Sequence, residues 1–321
     1  MRLRLGTITP VWVSLFILTG RPVSAKPTKR GLCYVPDART PEDDRIWTEQ
    51  PGRLSWYYSY TPTPPEIFRG LSQDGFEFVP MLWGAPSDIN DTSFLNTVKG
   101  LANDGTKISN VLTFNEPDMS EHGGSNVSPA YGAQVWVNNI IPLQKLGFRA
   151  GLPAPAGSEY GLPWLEQFLG NCSDITGKQC AYDFVTLHWY GPFEGLASHI
   201  GEYAATFPNT SIWVTEYNLN NQSLKDTQEF YKMSAEYLDR LPFIERYSFF
   251  GAFRSSVSNV GTNATMLSVG GRLTDIGRWY LGLDGNGVDP NSTDSGSPAP
   301  GRRLAVLASL VLPFLAMILV V

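Results

Sequence analysis

Two stretches decide how this chain is read: Asn110-Val-Leu-Thr-Phe-Asn-Glu-Pro-Asp118 and Ile212-Trp-Val-Thr-Glu-Tyr217. Each is an apolar, β-prone run that ends on a glutamate, Glu116 in one and Glu216 in the other. Strand propensity does not favour Glu at such a place. A carboxylate at a crowded strand mouth also loses hydration unless it is paired or used. Similar runs recur outward from these two, at 31–35, 53–59, 76–83, 148–152, 184–190 and 246–250, which with 110–115 and 212–217 makes eight.

Helix signals lie between the runs. Pro64-Pro65 opens a helix through Leu71 that stops before Gly75, and Asp91 or Thr92 caps 94–102. Ser128-Pro129 opens a run to Leu146, halted by Gly147. Ser223 caps 224–241, where Phe230, Met233 and Tyr237 keep a helical spacing. Eight strands alternating with helices predict a parallel sheet and an α/β fold, a single (β/α)8 TIM-type barrel. An open doubly wound sheet is the alternative, but Val35-Pro36-Asp37-Ala38 lacks its Gly-rich phosphate turn. The first and sixth crossovers read as short, so some outer helices are expected to be reduced.

In a barrel the reactive groups sit where strands end. Two facing carboxylates there are the working parts of glycoside hydrolysis, one donating a proton and one attacking the anomeric carbon; like charges held close raise the pKa of one. The plainer reading makes each Glu a structural ion-pair partner. Trp56 and Tyr58 end the second run, Trp83 the third, and Trp189 and Tyr190 the sixth. Flat rings stack on sugar faces, so these are candidate substrate contacts; the alternative is ordinary core. Asn115 and His188 can hydrogen-bond sugar hydroxyls or hold a glutamate. Only three His occur, His122, His188 and His199, in no zinc pattern, so neither a metal nor a cofactor is expected.

The composition is globular: 321 residues, 42% hydrophobic, 17% charged, with nine Trp. It excludes collagen, coiled-coil and disulfide-dense miniprotein classes. Residues 1–25 read as a secretory signal, with an N-terminal membrane anchor as the alternative. Residues 26–283 form the catalytic domain and 284–303 a low-complexity stalk with the GPI-attachment region, between Asn291 and Ser297. Residues 304–321 are a hydrophobic GPI-signal tail, or a single transmembrane helix. Removing three Arg from 1–25 together with Arg302 and Arg303 takes Lys+Arg from 24 to 19 against 30 Asp+Glu, a net charge of −11. That surface repels phosphate backbones, so no nucleic-acid partner is expected. Sequons stand at Asn90, Asn126, Asn171, Asn209, Asn221, Asn263 and Asn291. Cys172 and Cys180 can close a small disulfide loop, leaving Cys33 as an inert buried thiol.

The ordered set of motifs resembles fungal members of glycoside hydrolase family 128, β-1,3-glucanase-type proteins of the glycosyl hydrolase catalytic core with a clan A (β/α)8 barrel. The matching pieces are Phe114-Asn115-Glu116-Pro117-Asp118, Trp213-Val-Thr-Glu216-Tyr217, Ser55-Trp56-Tyr57-Tyr58, Phe78-Val-Pro-Met-Leu-Trp83-Gly84 and Asp183-Phe-Val-Thr-Leu-His188-Trp189-Tyr190-Gly191. They span Arg30 to about Leu283. The resemblance implies Glu116 as acid/base and Glu216 as nucleophile of a retaining mechanism. It implies Asn115 on the sugar hydroxyl beside the reacting carbon, Tyr190 as partner of the nucleophile, and Trp83 and Trp189 in the sugar platform. One departure stands out. Family members often carry a Trp at the end of the eighth strand, where this chain has Phe249-Phe250; Phe250 can stack but cannot donate. The expected protein is a secreted, GPI-anchored, monomeric endo-β-1,3-glucanase acting on fungal cell-wall glucan. The alternatives are a non-hydrolytic β-glucan-binding surface protein, or the same chemistry on β-1,6-glucan or mannan.

Overall fold

The computed structural model describes residues 28–49 and 52–295. The leader at 1–25 and the tail at 304–321 lie outside the described residues. Among those described, no helix is long and apolar enough to cross a membrane.

Among the described residues there are eight strands: β1 Gly31–Cys33, β2 Trp56–Tyr58, β3 Glu77–Phe78, β4 Asn110–Val111, β5 Arg149–Ala150, β6 Phe184–Tyr190, β7 Ser211–Asn218 and β8 Ile244–Phe249. They pair in parallel as β1-β2-β3, β4-β5 and β6-β7-β8. Isolated parallel bridges join the edges: Met81 with Leu112, Gly151 with Phe184, and Arg30 with Tyr247. The third predicted run shrinks to a two-residue strand. Pro80 follows it and has no N–H to give the ladder. The chain stays extended beyond, since Leu82 N donates to Leu112 O and Asn115 N to Trp83 O.

Side chains alternate along the strands with period two. Leu32, Tyr57, Val185, Ile212 and Val214 face the larger cluster shared with the helices. Cys33, Trp56, Tyr58, Phe184 and Trp213 form a second, inner cluster. Both faces are buried, as parallel sheets require. At the feet of the strands Arg246 pairs with Glu77 at 2.5 Å, Arg149 with Glu245 at 2.7 Å, and the Arg246 guanidinium lies 4.3 Å over Trp213.

The helices are α1 Asp44–Glu49, α2 Ser93–Asn103, α3 Pro129–Lys145, α4 Gly161–Thr176, α5 Phe193–Thr206, α6 Leu224–Arg240 and α7 Asp275–Tyr280. The predicted starts of α3 and α6 hold, since Ser128 and Ser223 accept from Tyr131 N and Asp226 N. Two expectations fail. The Pro64–Leu71 stretch makes only a short 3-10 turn, Glu66–Phe68, too brief to repay helix nucleation. The sixth crossover is not reduced: α5 is a full helix, burying Leu196, His199, Ile200 and Tyr203 along one face. Its glycines, Gly195 and Gly201, weaken the sequence signal, and packing overrides it. The first crossover is short, as expected, with six-residue α1. Cys172 on α4 is bonded to Cys180, with Cα atoms 5.6 Å apart.

Candidate active site

The ends of β4, β6 and β7 bring together Glu116, His188 and Glu216, buried to 7%, 0% and 5% exposure. Glu216 stands inside β7, directly opposite His188 of β6, where the register shifts after Leu187. Glu116 has a left-handed backbone, φ 42°, and its N–H donates to Ala154 O at 2.7 Å. A non-glycine residue held there stores strain, a feature that clusters at functional sites. His188 Nδ1 lies 3.1 Å from Glu116 Oε1 and 3.7 Å from Glu216 Oε2. One donor atom from each of the three falls within 4.8 Å of the others.

Two phenols clamp Glu216. Tyr60 donates to Oε1 at 2.5 Å and Tyr190 donates to Oε2. The Cys33 thiol is 2.8 Å from the Tyr60 hydroxyl. Burial pushes both phenols well above the ordinary tyrosine value, and the Glu216 charge adds to it, so they remain donors. Burial raises the Cys33 thiol likewise, which keeps it an unreactive SH. For His188 burial alone would lower the pKa; the charges of Glu216 and Glu116 and the hydrogen bond to Glu116 outweigh it, and the value is raised. His188 therefore keeps a proton more readily than a free imidazole, with its Nδ1 set between the two carboxyl groups. The three side chains are also spaced to suit a cation, but both Glu216 oxygens already accept phenolic hydrogen bonds, which compete for the same lone pairs.

The other predicted site residues divide. Asn115 Nδ2 donates to Gly123 O, while Asn115 Oδ1 and His188 Nε2 are buried with no partner, two groups able to meet a ligand hydroxyl. Trp83 is 40% exposed. Trp189 is half-buried, its indole N–H on Pro192 O. Phe250 meets Tyr190 edge-on at 5.8 Å. Trp56 and Tyr58 do not belong to the rim. Both are fully buried, Trp56 bonded to Lys29 O and Tyr58 to Thr215 O, so neither offers a ring face to a sugar. Tyr60 escaped sequence reasoning. The signal was the alternation Trp56, Tyr58, Tyr60: the three rings pack in one cluster, Tyr60 lying just past the end of β2.

Two buried carboxylates with a shared histidine and a phenol-clamped partner define a glycosidase-type centre. The family model for the glycosyl hydrolase catalytic core matches residues 31–280, and the chain belongs to that family. The solved structures it resembles include family 128 β-1,3-glucanases, in agreement with the motifs. Alkali-sensitive linkage protein 1 of Schizosaccharomyces pombe is 29% identical over 260 residues, covering 79% of this chain and 44% of that protein. The chain thus spans under half the length of this curated relative. A curdlan-specific exo-β-1,3-glucanase from Blastomyces gilchristii, solved with glucose, is 27% identical, covers 79% of this chain and 98% of its own, and has a TM-score of 0.60. An endo-β-1,3-glucanase from Amycolatopsis mediterranei, solved with laminarihexaose, is also 27% identical, with coverage of 80% and 99% and a TM-score of 0.59. Family 128 also includes oligosaccharide-binding proteins.

Proposed function

We propose that this protein is a secreted, GPI-anchored, retaining β-1,3-glucan hydrolase of the fungal cell wall, built on a (β/α)8 barrel. Barrel closure is supported by the three bridges that link the sheets end to end and by the inner cluster that the strands share. One observation carries the chemistry: Glu116 and Glu216 each offer an oxygen within 4.8 Å of the other, a close approach compatible with the about 5–5.5 Å between carboxyl groups in retaining enzymes. Glu216, fixed by Tyr60 and Tyr190, attacks the anomeric carbon. Glu116 protonates the departing oxygen. With Glu216 esterified, Glu116, which has given its proton to the departing oxygen, takes a proton from the attacking water, and the bond from Glu216 to the anomeric carbon breaks as the hydroxyl adds. Asn115 and His188 bind sugar hydroxyls; Trp83, Trp189 and Phe250 line the sugar path. No cofactor enters this scheme.

The test incubates the protein and its Glu216→Gln variant with linear β-1,3-glucan oligosaccharides and follows product mass and anomeric configuration. Shorter products with β-configured ends, absent in the variant, are expected. A fully active variant or α-configured ends would refute the assignment. Binding without product would favour the second reading, a glucan-binding protein, which the missing strand-eight Trp and the binding members of the family support.

A further inference from the structure

We propose that Asn126 carries an N-glycan that walls off the outer end of a glucan groove beside Glu116, so that short chains and chain ends are taken in preference to the interior of long ones. This rests on the glucan reading above and departs from the endo action expected from the motifs. A cavity of about 660 Å³ runs along the loops after β3 and β4. Its walls include Pro117 and Asp118, the two residues after Glu116. It shares Ala85, Pro86 and Ser125 with a second cavity of about 220 Å³ that reaches Trp83. Together they make a groove alongside the loop that follows Glu116, reaching Trp83 at its other end and of a size that suits a ligand.

Asn126 stands in the wall of this groove, exposed, and opens the sequon Asn126-Val127-Ser128. The sequon cannot swing aside, because its loop is stitched to the catalytic strand end. Ser125 N donates to Asn115 O at 2.9 Å, Val127 N to Pro117 O at 3.0 Å, Asn126 N to Met119 O at 3.0 Å, and Met119 N to Glu116 O at 3.1 Å. Asn126 itself has φ 49°, a conformation that asparagine tolerates. A glycan is bulky and hydrated. Rooted at this fixed point it excludes further glucosyl units from the outer groove by volume alone. The remaining sequons do not line either cavity. Asn209 precedes β7 and so lies at the opposite end of the strands.

The full chain, made in a glycosylating fungal host and purified in detergent, tests this. Peptide masses report occupancy of Asn126. Affinities for β-1,3-linked tri- and hexaglucosides are then measured in the Glu216→Gln background, with and without Asn126→Asp, which keeps the left-handed backbone. The expected result is an occupied Asn126 and a hexa-to-tri affinity ratio that rises about tenfold or more in the Asn126→Asp protein. Asn209→Asp leaves the ratio unchanged. An unmodified Asn126, or a ratio that does not move while the trisaccharide still binds, overturns the proposal and spares the glucan reading. If neither oligosaccharide binds, both fall.

Discussion

Tyr60 is the residue whose importance exceeds its visibility. Its hydroxyl is one of two donors on Glu216, and it is itself held at φ 59° with the Cys33 thiol beside it. Removing a hydrogen bond to a charged group costs about 1.5–3 kcal/mol. Tyr60→Phe should therefore lower kcat on a glucan oligosaccharide roughly 10- to 150-fold with little change in KM, the protein staying folded by circular dichroism. His188 gives the pH signature. Its folded pKa lies above the ordinary value of 6.5, through the charges of Glu216, Glu116 and Asp118 acting against burial. The stability it contributes is fully present below pH 6.5 and is lost as pH rises through the folded value. Melting temperature should fall as pH rises above neutrality, and His188→Asn should flatten that slope; an unchanged slope would show that the histidine is not the titrating group.

Elements were legible where local chemistry decides them. Ser128-Pro129 and Ser223 announce α3 and α6 because a cap acts within one turn. The stretch after Pro64 carries the same kind of start signal and yields only a turn, since no long apolar face follows to be buried. α5 went unread for the converse reason: its face is defined by what it packs against. The disulfide belongs to this scale too. It ties the end of α4 to the approach to β6 across a sequence separation of 8. Closing so short a loop is worth about 2–3 kcal/mol. Replacing Cys172 and Cys180 together by Ser should lower the melting temperature by several degrees without altering kcat, because neither sulfur touches the site.

For the whole molecule the strand feet matter as much as the mouths. Arg246 joins Glu77 of β3 to Trp213 of β7. Arg246→Met would leave the half-buried Glu77 without its charge partner and should cost about 2–3 kcal/mol in urea unfolding. A neutral result would mean that water replaces the guanidinium. By itself the sequence determined the strand–helix alternation, the caps, the cysteine pair and two glutamates at strand ends, because each follows from residues a few positions apart. Only the tertiary structure decided that Glu116 and Glu216 share one histidine, and that Tyr60 reaches Glu216 across a separation of 156 residues. It also decided that Trp56 and Tyr58 fill the core rather than the rim. Alternation tells which side chains share a face, but which faces meet, and which aromatics stay in solvent, is set when distant strands pack and exclude water.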